Sequence, residues 1–423
     1  MSKHRYHTTG VKQVDWEGVS RSAGRERLVF AVDVAKEDFV AALMKPDRSV
    51  LVTIKWRHPQ ETRAMMEALV KHVTVERLEV VLEPSGTYGD PVREAFRRLG
   101  AEVYMVSPKR VHDAAEIYDG VPSLHDAKAA YLIGRLHLDE GSRQWQAFSE
   151  SRRDLRAAID LMDLHRSQGQ RDLNRLEGLL ARYWPEASRL LKAGSITLLT
   201  LLEAYGSPGQ VAANRAAAKE LMRRTGRWFL SIDKIDLLLD SAETTLGLAC
   251  TAQETSYLQA VAKDALRAHR ESRAFQRLVE SLAAGEILTE PLAPVIGKVT
   301  SAVLISHQGS PKDYPSAKSY LKALGLNLKE HSSGKHHGQL TITKRGHGIS
   351  RRYLYYAVLR LIRDDRVVQA WYRSKVQRDG GHLKKKAIIS IMRKLVQALW
   401  HVSRGETFDS LRLFDTRHLG LVG

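Results

Sequence analysis

The 423-residue chain is poor in several features, and each shortage narrows what it can be. It has one cysteine, Cys250, so neither an internal disulfide nor a thiolate zinc site can form; this points to a reducing compartment and to Cys250 as a small apolar filler. No apolar run approaches the roughly 18 residues of a membrane span, and Met1 to Gly24 lacks a secretory-signal pattern. The expected location is cytoplasmic, with no membrane partner. Acidic residues are also in deficit: 48 Asp and Glu against 66 Lys and Arg leave a formal charge of +18 and a pI near 9.9. Such an excess calls for a polyanionic partner, nucleic acid first. Internal repeats and low-complexity tracts are lacking too, and the length exceeds what one hydrophobic core organises, so two or three globular domains are expected.

Residues 28–106 read as an α/β unit. Leu28-Val-Phe-Ala-Val-Asp-Val34 is a short apolar run, and Phe39 to Met44 and Val50 to Ile54 follow as its hairpin partners across Lys45-Pro-Asp-Arg48. A helix from Pro59 to His72, a strand Leu78-Glu-Val-Val-Leu82, a helix from about Pro91 to Leu99 and a strand Glu102-Val-Tyr-Met-Val106 complete the order βββαβαβ. That order belongs to an RNase-H-like (RuvC-like) mixed sheet covered by helices.

Beyond about Ser142 the period changes. Leu155, Ile159, Met162, Arg166, Gly169, Leu173, Leu176 and Leu180 recur at alternating spacings of four and three, a heptad seam interrupted at Arg166 and Gly169. A broken coiled coil and an ordinary bundle helix both fit. Residues 186–285 continue helix-rich, with Gly206-Ser-Pro-Gly209 as a break, and carry no pattern with an assignable chemistry. The expected plan is an N-terminal extension over 1–27, an RNase-H/RuvC-like domain over 28–140, a helical linker or coiled-coil region over 141–285, and a mostly helical C-terminal domain over 286–423. The fold class is thus α/β plus α. The last domain holds a dense cationic block, with seven Lys or Arg, four His and one Glu between Lys322 and Arg352.

Three acids stand out. Asp33 ends the first strand, and Glu83 directly follows Leu78–Leu82, ahead of a Pro-Ser-Gly turn. In an RNase-H-like sheet these strands are neighbours, so the two carboxylates face each other where Mg²⁺ or Mn²⁺ can bridge them and position phosphodiester oxygens. Without a cation they repel and resist joint ionisation, and a charge on an otherwise apolar strand is costly unless paired or metal-bound. Asp126 opens the helical stretch in Ser123-Leu-His-Asp-Ala-Lys-Ala-Ala130. It reads equally as a third ligand or as an acid stabilised by a helix macrodipole.

The segments Ala31-Val-Asp-Val-Ala-Lys36, Leu82-Glu-Pro-Ser-Gly-Thr-Tyr88 and His125-Asp-Ala-Lys128 resemble those of the DEDD-type insertion-sequence transposases of the IS110 family, which are bridge-RNA-guided recombinases. The resemblance implies a metal set on Asp33, Glu83 and Asp126. It also implies a pair of Asp residues three positions apart, and here only Asp126 is present: the partner place falls on Ala129 or on Ser123. Asp119 or Glu116 could substitute, or three acids and nucleic-acid phosphates could suffice.

The far end matches as well. Leu324-Gly-Leu-Asn-Leu-Lys-Glu-His-Ser-Ser-Gly-Lys335 and Gly338-Gln-Leu-Thr-Ile-Thr-Lys-Arg-Gly346 resemble the C-terminal transposase domain of that family, in which a serine is the nucleophile. Ser333 best matches it, and Ser332 is the neighbour that could be confused with it. A serine hydroxyl is a weak nucleophile and needs a base or a metal-polarised phosphate with cations around it. Lys335, His336, His337, Lys344 and Arg345 are candidates for that surround, and Arg351, Arg352, Lys384, Lys385 and Lys386 for backbone phosphate. The histidines have no cysteine beside them, so a phosphate-facing role is preferred to zinc. Ile296-Gly-Lys-Val-Thr300 resembles a helix-hairpin-helix turn. Tyr314, Tyr320, Tyr353, Tyr355 and Tyr356 suit either core packing or base stacking.

These readings combine into a transposase or recombinase that cuts and rejoins the DNA of a mobile element through a phosphoserine linkage. The resemblance implies selection of both DNA targets by a noncoding guide RNA. A homodimer or homotetramer held by the 142–180 helix would suit a composite site. A metal-dependent junction resolvase or nuclease using water, and a non-catalytic nucleic-acid-binding protein, are the alternatives.

Overall fold

The computed structural model describes residues 7–84, 86–118, 120–285, 289–330, 338 and 340–415. The chain forms two compact units, residues 1–148 and 149–423. Each is described by itself.

In the N-terminal unit, β1 (Thr9–Gly10) and α1 (Trp16–Ala23) precede a run of β2 (Leu28–Asp33), β3 (Asp38–Met44) and β4 (Val50–Arg57). Then come α2 (Thr62–His72), β5 (Leu78–Leu82), α3 (Asp90–Arg98), β6 (Glu102–Val106), α4 (Pro108–Ala114), α5 (Asp126–Leu138) and β7 (Ser142–Gln144). The sheet order is β1-β4-β3-β2-β5-β6-β7. The inner five strands have the RNase-H-like arrangement that the βββαβαβ pattern predicts. β2 runs antiparallel to β3 and parallel to β5, and β5 is parallel to β6. β1 and β7 extend the two edges.

Because successive strand residues point to opposite faces, the sheet buries two separate cores. Leu28, Phe30, Val32, Phe39, Ile54, Trp56, Val80 and Leu82 pack against Met65, Leu69, Val92 and Phe96 of α2 and α3. Val29, Ala31, Val40, Ala42, Met44 and Val81 pack against Ala127, Ala130, Leu132 and Ile133 of α5. α5 lies close to the sheet because it carries Gly134: a β-carbon there would collide with Met44 Sδ and stand 3.0 Å from Ala31 Cβ.

The C-terminal unit is almost all helical. Its elements are α6 (Glu150–Tyr183), α7 (Pro185–Leu190), α8 (Ile196–Tyr205), α9 (Pro208–Ala213), α10 (Arg215–Gly226), α11 (Ile232–Glu243), α12 (Ala252–Ala284), α13 (Ala293–Ile296), α14 (Lys298–Gln308), α15 (Ala317–Ala323), β8 (Leu328–Lys329), β9 (Thr341–Ile342), α16 (Gly348–Asp364), α17 (Arg366–Arg378) and α18 (Lys384–Val402). The seam on α6 finds its partner within the chain. Leu176 and Leu180 share a core with Leu258, Val261, Ala262 and Leu266 of α12, while Leu155, Ile159 and Met162 pack with Val279 and Ala283 near its other end. α6 and α12 thus run antiparallel.

The two interruptions of the seam have structural uses. Gly169 lets the helices meet, since a β-carbon there would stand 3.3 Å from Ala268 Cβ. Arg166 donates to the Tyr353 hydroxyl at 3.1 Å and lies against the Tyr353 and Tyr356 rings. The break at 206–209 separates α8 from α9: Gly206, with φ 72°, and Ser207 lie between them, and Pro208-Gly209 opens α9. Gly297 (φ 81°) joins α13 to α14, and Arg360 is packed where its side chain would be. Tyr320 and Tyr353 are core residues, and Tyr356 is exposed.

Candidate active site

The pleat brings the carboxylates to one face. Asp33 is two residues beyond Ala31 and Glu83 two beyond Val81, and both alanine and valine face α5. Val32 pairs with Leu82 across the parallel β2–β5 ladder, and the Glu83 amide donates to the Val32 carbonyl at 3.5 Å. Both acids therefore leave neighbouring strands at the same level. Asp126 is the first residue of α5, the helix that covers this face. His125 caps that helix, its Nδ1 accepting from the Lys128 amide at 3.3 Å.

Asp33 feels the other two charges. Burial, then the Glu83 and Asp126 carboxylates, push the Asp33 carboxyl up to about 7, against a lowering hydrogen bond from the Val34 backbone. Burial also raises Glu83. A hard divalent cation held by carboxylate oxygens would reverse both penalties, so the donor set suits Mg²⁺ or Mn²⁺ in kind. Among the described residues no three His, Cys, Asp or Glu side chains already converge as a ligand set. Ala129, one place for a fourth acid, is buried in α5; Ser123 and Glu116 are exposed; Asp119 lies outside the described residues.

Two basic side chains escape sequence reasoning. Lys128 is 2% exposed and donates to the Val121 carbonyl at 2.6 Å, tying the approach to α5 down beside Asp126. The buried Arg93 guanidinium pairs with Asp90 and lies 5.8 Å from the Trp145 ring, with no hydrogen-bond partner for Nε and Nη1 among the described residues. Gly89 leaves it room next to Val34. Lys128 sits in a motif where it reads as a surface helix cation; only its burial singles it out.

In the C-terminal unit, Ser332, Ser333, Lys335, His336 and His337 lie outside the described residues. The flanking chain is ordered by a short ladder: Leu328 pairs with Ile342, the Thr343 amide donates to the Asn327 carbonyl and the Lys344 amide to the Gly325 carbonyl, both at 2.9 Å. Gly325 (φ 67°) is needed because the Arg345 backbone occupies the space of a side chain. Lys344 and Arg345 are exposed and make no ion pair among the described residues, and the same holds for Lys384 and Lys385. Arg351 is employed differently, its Nη1 donating to the carbonyls of Leu324, Arg345 and Gly346 at 2.9–3.2 Å. Arg352 pairs with Asp163 of α6, and Lys386 stands 3.7 Å from Asp379.

On α14 the His307 side chain is buried, with Nε2 3.4 Å from Asp160, and its ring meets the His347 ring edge-on at 5.2 Å. Burial and Arg156 push His307 below the ordinary imidazole range, with Asp160 opposing. The lone histidine gives no sequence signal.

A sheet in RNase-H order whose adjacent strands end in carboxylates, with a third at the covering helix, fits an RNase-H-like domain of the DEDD type. Residues 30–185 match the family profile of the IS110 DEDD transposase, described as "Transposase". Residues 292–373 match the profile described as "Transposase IS116/IS110/IS902 family". The two matches together cover more than half of the chain, which belongs to the IS110 family of DEDD transposases. No curated protein matches it. DNA is therefore its partner, DNA transposition its activity, and a divalent metal its expected cofactor.

Proposed function

We propose that this transposase cuts and rejoins DNA with Asp33, Glu83 and Asp126 as its metal-binding carboxylates and Ser333 as its nucleophile. The observation that carries the reading is the emergence of Asp33 and Glu83 at one level from neighbouring strands, with Asp126 opening the helix that covers that face; burial and the two acidic neighbours push the Asp33 carboxyl up to about 7. Without a cation Asp33 keeps its proton to near neutral pH, and a bound cation would let it ionise beside the other two acids. Mg²⁺, when bound, would polarise the scissile phosphate and neutralise charge on its oxygens.

The Ser333 hydroxyl forms a bond to phosphorus as the DNA phosphodiester breaks, releasing a DNA hydroxyl. The phosphoserine linkage conserves the bond for rejoining. Lys335, His336, His337, Lys344 and Arg345 surround the phosphate with positive charge, and Arg351 holds the Arg345–Gly346 backbone in place. Target choice would fall to a noncoding RNA that pairs with both DNAs, the protein reading shape and charge. The reaction belongs in the cytoplasm, in a homodimer or homotetramer. Because α12 already covers much of the α6 seam, the 142–180 helix would join such an assembly through its other faces, where Leu161 and Leu164 are exposed.

A denaturing gel tests the chemistry, using wild type, Ser333→Ala, Ser332→Ala and Asp126→Ala with element-end DNA, co-purified RNA and Mg²⁺. A covalent protein–DNA adduct lost in Ser333→Ala and Asp126→Ala but kept in Ser332→Ala is the expected result. Free cleaved ends without any adduct, persisting in both serine variants, would make the protein a hydrolytic nuclease. Binding without cleavage by any protein would leave a non-catalytic binder.

A further inference from the structure

The segment joining α10 to α11 exposes two large aromatics side by side. Trp228 is 89% and Phe229 91% exposed, while the other six tryptophans of the chain are buried or half-buried. A globular protein rarely leaves two adjacent rings in water without a use for them.

The local backbone holds them out. Gly226 has no side chain because Leu230 folds back over it: a β-carbon at Gly226 would stand 2.8 Å from Leu230 Cβ. Arg227, a non-glycine residue, takes φ 46° to make the reversal, and Ser231 then caps α11 by accepting from the Lys234 amide. With Leu230 tucked against the helical core, the two residues before it are left at the tip. The turn is bracketed by helices on both sides, so the rings stand on a fixed platform.

Charge identifies the occupant. Arg223, Arg224 and Arg227 are exposed on the same stretch, and no acid occurs from Leu221 to Ile232. Arg223 stands 3.3 Å from Glu220, whereas Arg224 and Arg227 make no ion pair among the described residues. Rings for base faces and free guanidinium groups for phosphates are what sequence-tolerant single-strand recognition uses.

We infer that Trp228 and Phe229 form a stacking platform for unpaired nucleotides of a single-stranded nucleic acid, with Arg224 and Arg227 on its phosphates. This gives a chemistry to a region in which the sequence shows none. It rests on the transposase reading only in that both need a nucleic-acid partner.

The test uses the full-length protein and a fluorescein-labelled mixed-sequence 12-nucleotide strand, as DNA, as RNA and as a DNA duplex. The Trp228→Ala/Phe229→Ala double variant should bind the single strand about ten- to hundredfold more weakly, with duplex affinity unchanged and Trp228→Phe near wild type. Arg224→Ala/Arg227→Ala should lower the salt slope of log K by about 0.7 for each phosphate that is no longer neutralised. In wild type, bound single strand should quench tryptophan emission and protect it from acrylamide, a readout that survives if a variant fails to fold. Comparing the DNA and RNA arms identifies the preferred sugar.

Unchanged single-strand affinity and unchanged emission would overturn the inference. A smaller mass by light scattering in the double variant, with nucleic-acid affinity intact, would instead assign the rings to a second copy of the chain. Neither result depends on the serine: loss of the covalent adduct with single-strand binding retained would sink the recombinase mechanism and leave this platform standing.

Discussion

Glu83 leaves its strand with its amide donated to the carbonyl of Val32, the residue before Asp33. That single bond extends the β2–β5 ladder past its last pair and fixes the level at which both carboxylates emerge. With α5 laid over the same face through Gly134, the start of that helix supplies Asp126. The electrostatic coupling of the three acids follows from backbone pairing.

The coupling should be visible in stability. Folded Asp33 keeps its proton to about pH 7, while the unfolded chain releases it near 3.8. Between these values the folded state binds more protons, so the contribution to stability declines as pH rises through the window. The full shift corresponds to at most about 4 kcal/mol. In metal-free protein, Asp33→Asn should raise Tm at pH 8 and have little effect near pH 4; equal shifts at both pH values would contradict the coupling.

Gly134 should be intolerant of a side chain. Gly134→Val collides with Met44 and Ala31, and overpacking of this kind costs about 1–3 kcal/mol. Because α5 carries Asp126, strand cleavage should fall further than stability does. Adding Met44→Ala should restore part of both. Thermal melts and cleavage rates of the single and double variants check this.

Basic residues of the C-terminal block should divide into two kinds. Arg351→Ala removes the donor shared by Leu324, Arg345 and Gly346 and should cost about 1–3 kcal/mol of stability. Lys344→Ala and Arg345→Ala should leave the melt unchanged and weaken duplex binding, each lowering the salt slope by about 0.9. Melts combined with salt-dependent DNA titrations separate the two kinds.

Much of this arrangement is legible in the residues. β2 to β6 announce themselves as short apolar runs between turns, so the RNase-H order, the neighbouring strand ends and the pairing of Asp33 with Glu83 all follow. The edge strands β1 and β7, of two and three residues, are too short and polar to show any alternation. The heptad seam of α6 is visible, but not that its partner is a helix of the same chain beginning only at Ala252, because the spacing of a seam does not say what covers it. Trp228 and Phe229 have the composition of core residues; a backbone reversal at Arg227 turns them outward. Lys128 and His307 are found by burial alone.

The most direct test of the central claim, that Asp33, Glu83 and Asp126 act as one metal-binding set, is a Mn²⁺ titration followed by electron paramagnetic resonance. Wild type, Asp33→Asn, Glu83→Gln and Asp126→Asn would be compared at pH 8. Binding should be saturable in wild type, with an affinity at least about tenfold lower in every variant, the scale on which removal of a ligand or its support acts. Equal Mn²⁺ affinity in wild type and Asp126→Asn would contradict the claim, and would make Asp126 no more than an acid at the start of a helix.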